Sequence, residues 1–343
     1  MQHKYCFEAV HRTLMDVRAD DALFGGLPIV LGGDFAQILP VVQRGNRAAI
    51  VNACLQRSFL WLSLTVLHLR WNMRVRDGPE NERFAVWVRS LAAAEAAGTV
   101  LLPEMITSFR DKQQFYARIY PPELLASAPH DWRIFKGRAI LTVRNDTVTA
   151  VNRDLIGQLP GDAMDFPSVD TAEVDHSQEA PPVELLQSFE PVSLPPSRLT
   201  LKVGAPIILI RNLYPKEGLC NGTRLVVTRL GRRCLETRIL TGEFAGQLRV
   251  IPRIQLTSTE GELPFIITRR QFPVRPCFAM TVNKSQGQSL DVAGVDLRRA
   301  VFTHGQLYVA MSRVTSVAGL SVLLPSTAER PAVENAVYPE VLL

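Results

Sequence analysis

A chain of 343 residues and 38.2 kDa is long enough for two or three domains, each with its own buried core. With 47% hydrophobic and 21% charged residues the composition is that of a globular protein; no apolar run reaches membrane-spanning length, and the N-terminus lacks the charged-then-apolar pattern of a signal peptide. A net charge of +5 and a pI near 9.1 suit a polyanionic partner.

Residues 2–17 place Cys6, Val10, Leu14 and Val17 on one face of a predicted helix. Gly25-Gly26 precede an apolar strand, Leu27 to Leu31, that stops at Gly32-Gly33-Asp34. A helix around Ala48–Arg57 and a strand Thr65–Leu69 follow, and this alternation predicts a parallel α/β sheet. Residues 80–97 form the next predicted helix, with Phe84, Val88 and Leu91 inward and Gly98 as its stop. Ala139–Val143 reads as a buried strand and Val148–Ile156 as the helix after it. Between Pro160 and Pro196 seven prolines mark a linker-like, weakly structured excursion. From Val203 to Phe272 the pattern is all-β, with strands Ala205–Ile210, Thr223–Arg229, Leu235–Leu240 and Gln247–Ile251 predicting a small inserted barrel. Helix and strand alternation resumes at Cys277 and runs to about Leu324.

Two residue counts bear on chemistry. Six of the 38 basic residues are lysine, which leaves 32 arginines. Arginine forks onto phosphate oxygens and stacks on bases, but genomic base composition raises arginine as well, so the count carries little weight. The five cysteines are scattered without a CxxC spacing, which argues for reduced thiols and against a disulfide frame or a zinc site.

Four constellations could act on a ligand. In Gly32-Gly33-Asp34-Phe35-Ala36-Gln37 the glycines allow close backbone approach, and Asp34 and Gln37 stand where a phosphate-bound metal and water could be; an ordinary turn has the same composition. Arg74 follows the strand Thr65–Leu69 and could reach a phosphate across a cleft, although a surface salt bridge is the simpler account on spacing alone. Thr281, Asn283, Lys284, Ser285 and Gln286 leave a strand together as short donors suited to a phosphodiester backbone, and Gly287 permits close approach. Finally, Thr303 is placed to cap a helix with an inward face of Leu307, Ala310, Met311 and Val314. On that helix Gln306 and Arg313, seven residues apart, point the same way and either complete a nucleotide site or form an exposed face. His304 alone is more often a capping or core residue than a ligand.

In order, GGDFAQILPV, LRWNMR, AILTVRNDTVTAVN, LKVGAPIILIRNLYPKEGLCNGTRLVV, FAMTVNKSQGQSL and HGQLYVAMSRV resemble the PIF-type (petite integration frequency) DNA helicases, above all the branch carried by Helitron transposons. The resemblance covers essentially the whole chain. It implies an α/β architecture of two RecA-like P-loop NTPase helicase folds clasping ATP and magnesium, with single-stranded DNA crossing both, and a small inserted all-β barrel. Residues 1–75 would be the C-terminal part of an incomplete first RecA-like domain. Residues 76–202 and 273–343 would form the second, with 160–200 as its proline-rich excursion and 203–272 as the barrel. The resemblance further implies 5′-to-3′ unwinding of forks in repair, recombination or transposition, in the nucleus or the mitochondrion. Gln37 and Arg313 would sense the γ-phosphate, Arg74 would be the arginine finger, and Gly287 would touch the nucleotide. Thr281, Asn283, Lys284, Ser285 and Gln286 would hold the DNA strand.

One departure matters. No G-x-x-x-x-G-K-[ST] loop and no adjacent Asp-Glu pair occur in these residues, so the main ligands for the triphosphate and for magnesium are missing. By the resemblance, MQHKYCFEAVHRTLMDVR corresponds to the segment that directly follows the Asp-Glu pair, which leads to the expectation of an N-terminally truncated helicase with little or no ATP hydrolysis of its own. A strand-binding remnant that acts without turnover is the competing expectation.

Overall fold

A computed structural model describes residues 1–69, 72–173, 181–263 and 265–342. Arg70 and Trp71 of the LRWNMR segment, and residues 174–180 of the proline-rich excursion, lie outside the described residues. The chain divides into two compact units, Met1–Lys112 with Ser285–Leu343, and Gln113–Lys284.

In the first unit, Val292–Asp296 pairs in parallel with Leu320–Leu323, which pairs in parallel with Thr107–Phe109. Against these strands lie the helix Gln306–Met311 and the turn after it, with Leu307, Ala310, Met311 and Val314 wholly enclosed as their spacing predicts. The helix Pro79–Ser90 buries Phe84 and Val88, and its C-cap residue Leu91 is buried too; Gly98, at φ +101, begins a strand instead of merely stopping a helix. That strand, Gly98–Leu101, pairs antiparallel with Ala332–Asn335.

Three expectations for this unit are corrected. The helix Lys4–Arg18 is present, but it buries Lys4, Glu8 and His11 and leaves Cys6, Val10 and Val17 exposed. The polar face is inward because each group there has a partner. Lys4 Nζ donates to Asn52 Oδ1 at 3.1 Å, Ser58 Oγ donates to Glu8 Oε1 at 2.7 Å, and Phe24 N donates to His11 Nδ1 at 3.0 Å. Residues 27–31 and 65–69 are not strands. Leu27 is extended, with φ −83 and ψ 134, but no strand among the described residues pairs with either segment, and Val30 stays 96% exposed. Apolar β-branched composition favours an extended backbone, yet a strand exists only where a neighbour takes up its amides and carbonyls. Thr303 does not cap the Gln306–Met311 helix through its side chain. Gly305 is the N-cap residue, in a left-handed conformation.

The second unit has an α/β part and a larger β part. Arg138–Thr142 runs parallel to Ala279–Thr281, and the helix Asn145–Gln158 lies on them. Asn152 staples this arrangement, donating to the carbonyls of Pro276 and Ala279 and accepting from Ala279 N at 2.9 Å. From Pro206 to Pro276 the described elements are strands apart from the short helical turn Pro215–Glu217. Leu248–Pro252, Cys234–Ile239, Arg224–Leu230, Pro206–Leu209 and Val274–Pro276 form an antiparallel sheet in that spatial order. Cys234–Ile239 buries every second residue, as one covered face requires.

The proline-rich excursion is more structured than expected. Met164–Pro167 pairs with Arg198–Leu201, Val169–Glu173 pairs with Ile266–Gln271, and Val183–Ser188 is helical. Two arginines hold it. Arg269, fully buried, forks onto Asp170 at 2.7 Å and donates to the carbonyls of Leu186, Phe189 and Pro195; Arg275 donates to those of Pro191 and Leu194. Proline removes backbone donors but leaves carbonyls, and these guanidinium groups satisfy them.

Candidate functional site

The first unit gathers residues from three distant parts of the sequence. The loop before Ile38 turns on Asp34, whose Oδ1 accepts from Ala36 N at 2.9 Å. Gln37 donates to Asp34 Oδ2 at 3.1 Å, and Gln286 Nε2 donates to Gln37 Oε1 at 2.9 Å. Tyr308 OH, one turn into the 306–311 helix, donates to the same Asp34 oxygen at 3.2 Å. The result is a hydrogen-bonded line, Gln286–Gln37–Asp34–Tyr308. Burial and the Asp34 carboxylate push the Tyr308 phenol up to about 12, so it stays a donor.

Gly305 brings the loop and helix together. Its φ is +73, and a Cβ at that position would stand 2.6 Å from the Gln37 carbonyl carbon, so only glycine allows the approach. His304 pins the same junction. The Tyr338 amide donates to Nδ1 at 2.8 Å, which makes Nε2 the donor to Phe35 O, also at 2.8 Å. Burial holds its pKa below the ordinary 6.5. His304 is thus a neutral core residue rather than a ligand.

Two arginines flank this line. Arg74 is exposed and its Nη1 donates to Ser312 O at 3.1 Å; neither it nor Arg313 has a carboxylate within salt-bridge distance among the described residues. Arg313 is wholly buried rather than on an exposed helix face. Nε donates to Val309 O at 2.8 Å, Nη1 to Gln288 O at 3.2 Å and more weakly to Ser285 O, and Nη2 to Ser312 Oγ at 2.7 Å. Burial first, and then the charge of Arg74, lower its pKa to about 10. Of the two, the exposed Arg74, beside the Gln37 amide, is the one that could meet an anionic phosphate, while Arg313 is enclosed and Asp34 partly offsets its charge. Gly287 is exposed at φ +83 with open space where a Cβ would stand, so a ligand can approach its backbone.

Of the polar turn, Ser285, Gln286 and Gly287 belong to the first unit and Thr281, Asn283 and Lys284 to the second. Asn283 and Lys284 are exposed and Thr281 is half-buried. Ser285 is corrected: it is fully buried, so its hydroxyl is not presented to a polymer, and its carbonyl faces Arg313 instead. Although Lys284 keeps exposed surface, the protein packed around its ammonium strips away part of its hydration, and this, followed by the neighbouring Arg275, lowers its pKa.

Neither Tyr308 nor Arg275, beside Lys284, stands out in the sequence. Tyr308 and Asp34 are 274 residues apart, and no local spacing signals that pairing.

Residues 1–97 match the PIF1-like helicase family, and residues 184–230 match the 2B domain of DNA helicase Pif1. Over 325 residues the chain is 30% identical to the ATP-dependent DNA helicase PIF1 of Danio rerio, across 92% of this chain and 44% of that protein. It spans about half the length, or less, of the curated relatives it matches. Its fold matches the Pif1 helicase from Candida albicans with a TM-score of 0.64 at 23% identity, over 99% of this chain and 73% of that one. The Pif1 helicase from Bacteroides in complex with ADP-AlF3 and ssDNA matches with a TM-score of 0.62 at 18% identity, over 97% and 75%. The fold is the mixed α/β, RecA-like helicase type with parallel strands, and the chain belongs to the PIF1-like helicase family.

Proposed function

We propose that the chain is the phosphate-sensing and strand-gripping part of an ATP-dependent 5′-to-3′ DNA helicase, acting on single-stranded DNA and forks in repair, recombination or transposition. Its motifs favour the Helitron-carried branch, with residence in the nucleus or the mitochondrion. The observation that carries this reading is the hydrogen-bonded line from Gln286 through Gln37 and Asp34 to Tyr308, with Arg74 and Arg313 beside it.

Bound ATP with magnesium would supply the anionic phosphoryl group and the free energy of its hydrolysis. Toward that group, Arg74 is the exposed guanidinium free to swing onto an oxygen, and Gln37 offers an amide that senses it without adding charge. Arg313 fixes the turn that carries Gln286 and Gly287 and adds positive potential from behind. Asn283, Lys284 and Thr281 hold the strand. Because the 343 residues contain neither a phosphate loop nor an Asp-Glu pair, ATP turnover by this chain alone stays at background.

A non-catalytic strand-binding remnant of a transposon helicase is the second reading, and the enclosure of Arg313 by backbone carbonyls favours it. Purified chain assayed for ATP hydrolysis with and without single-stranded DNA tests the first reading. Background turnover is expected, together with strand affinity that changes when ATP is added. Strand affinity indifferent to ATP would select the remnant, and DNA-stimulated turnover would overturn the account of the missing loop.

A further inference from the structure

The second unit holds a cavity of about 350 Å³ beside Lys284 that the reading above does not use. One face of the helix Asn145–Gln158 forms its wall: Asn145, Thr149, Arg153 and Gly157 recur every fourth residue, and Val148 and Ile156 lie next to them. Leu199, Ile208, Ala279 and Met280 close the far side, all buried. That side is aliphatic, while Arg153, Arg198, Lys202, Arg275 and Lys284 supply cationic groups, of which Lys202 is held by the Leu159 carbonyl at 2.7 Å. A concave apolar site with a few convergent polar groups is what a small planar ligand needs.

The polar groups differ in availability. Asn152 is used up by the backbone of Pro276 and Ala279, and Arg198 is paired with Asp165. The side-chain amide of Asn145 and the guanidinium of Arg153 have no partner among the described residues. Nε of Arg275 is buried and unbonded. An amide that can read a base edge, an apolar slot and the Arg153 guanidinium together describe a nucleotide rather than a lipid or a peptide. Thr281 and Lys284, proposed above to hold the strand, line the same cavity, so a strand gripped there has a base within reach.

We infer that this cavity takes one unstacked base of the bound single strand, with its flanking phosphates on Lys284 and Arg153 and its edge facing Asn145. The inference rests on the strand-gripping reading of the 281–284 turn. A base inserted among apolar side chains adds affinity on top of the electrostatic grip of its phosphates, whereas a backbone-only track does not distinguish a base from its absence.

Thr149 makes the test clean. It lines the cavity one turn from both Asn145 and Arg153 and is exposed, so a larger side chain there enters the space a base facing Asn145 would take. The experiment measures the affinity of the full chain for an oligothymidylate and for an abasic oligonucleotide of equal length, as wild type, Thr149→Val and Thr149→Leu, with melting curves for each. Wild type should bind the base-bearing strand about tenfold more tightly. Thr149→Leu should bring that ratio close to one and leave abasic affinity unchanged, with Thr149→Val, of the same shape as threonine, keeping the wild-type ratio. A wild-type ratio near one, or a Thr149→Leu variant that retains the wild-type ratio, overturns the inference and leaves the strand-gripping reading standing. Failure of wild type to bind either oligonucleotide overturns both. As a second readout, a 4-thiothymidine strand should crosslink to Met280 in wild type; its absence there also counts against the inference.

Discussion

Arg74 and Arg313 meet at Ser312: the Nη1 of Arg74 donates to its carbonyl at 3.1 Å, and the Nη2 of Arg313 donates to its hydroxyl at 2.7 Å. Two guanidinium groups repel, and here one is exposed while the other is enclosed. The exposed one is poised to move and the enclosed one is structural support. Arg313→Ala should therefore destabilise the chain by about 3 kcal/mol, because several carbonyls lose a charged donor. Arg74→Ala should cost less than about 0.5 kcal/mol. Denaturant unfolding of the two variants checks the contrast, and equal losses would place both arginines in the same structural role.

Gly305→Ala tests the junction between the Gln37 loop and the 306–311 helix. The new methyl would collide with the Gln37 backbone in a left-handed conformation that alanine disfavours. A loss of about 1–3 kcal/mol is expected. A melting temperature equal to wild type would mean the loop approaches the helix less closely than described.

His304 gives a pH dependence of defined sign. Its two hydrogen bonds require the neutral ring, and its folded pKa lies below 6.5. The unfolded chain thus binds a proton first as pH falls. Stability from this residue is fully present above 6.5 and is lost as pH drops from there toward the folded value. Unfolding midpoints at neutral pH and at pH about 5.5 should fall more in wild type than in His304→Gln. Parallel slopes would show that His304 does not titrate against the fold.

Asp170→Ala should cost about 3 kcal/mol, since it leaves the buried guanidinium of Arg269 with only the half-exposed Glu190, at 3.9 Å, as a counter-charge. Thermal or denaturant melting reads this directly. A change under about 1 kcal/mol would show that Glu190 and the carbonyls of Leu186, Phe189 and Pro195 suffice for Arg269.

How far the sequence reveals this molecule depends on the range of the interaction. Leu307, Ala310, Met311 and Val314 share one face by helical period alone, and the alternation of Cys234–Ile239 follows from strand period. Gln37 and Gln286 were identified separately by composition, but their hydrogen bond spans 249 residues and no local pattern encodes it. The proline-rich stretch misled because its order comes from Arg269 and Arg275, far along the chain. Leu27–Leu31 and Thr65–Leu69 misled for the opposite reason. Their composition favours strands, and the missing ingredient is a neighbour.

The most direct test of two separate ligand sites is a binding titration of a fluorescent ATP analogue and of a fluorescent single strand, each against wild type, Arg74→Ala and Lys284→Ala. Arg74→Ala should weaken the analogue about tenfold and spare the strand. Lys284→Ala should weaken the strand, lower its log–log salt slope by about 0.7, and spare the analogue. Loss of both ligands in either variant, or of neither in both, would contradict the account.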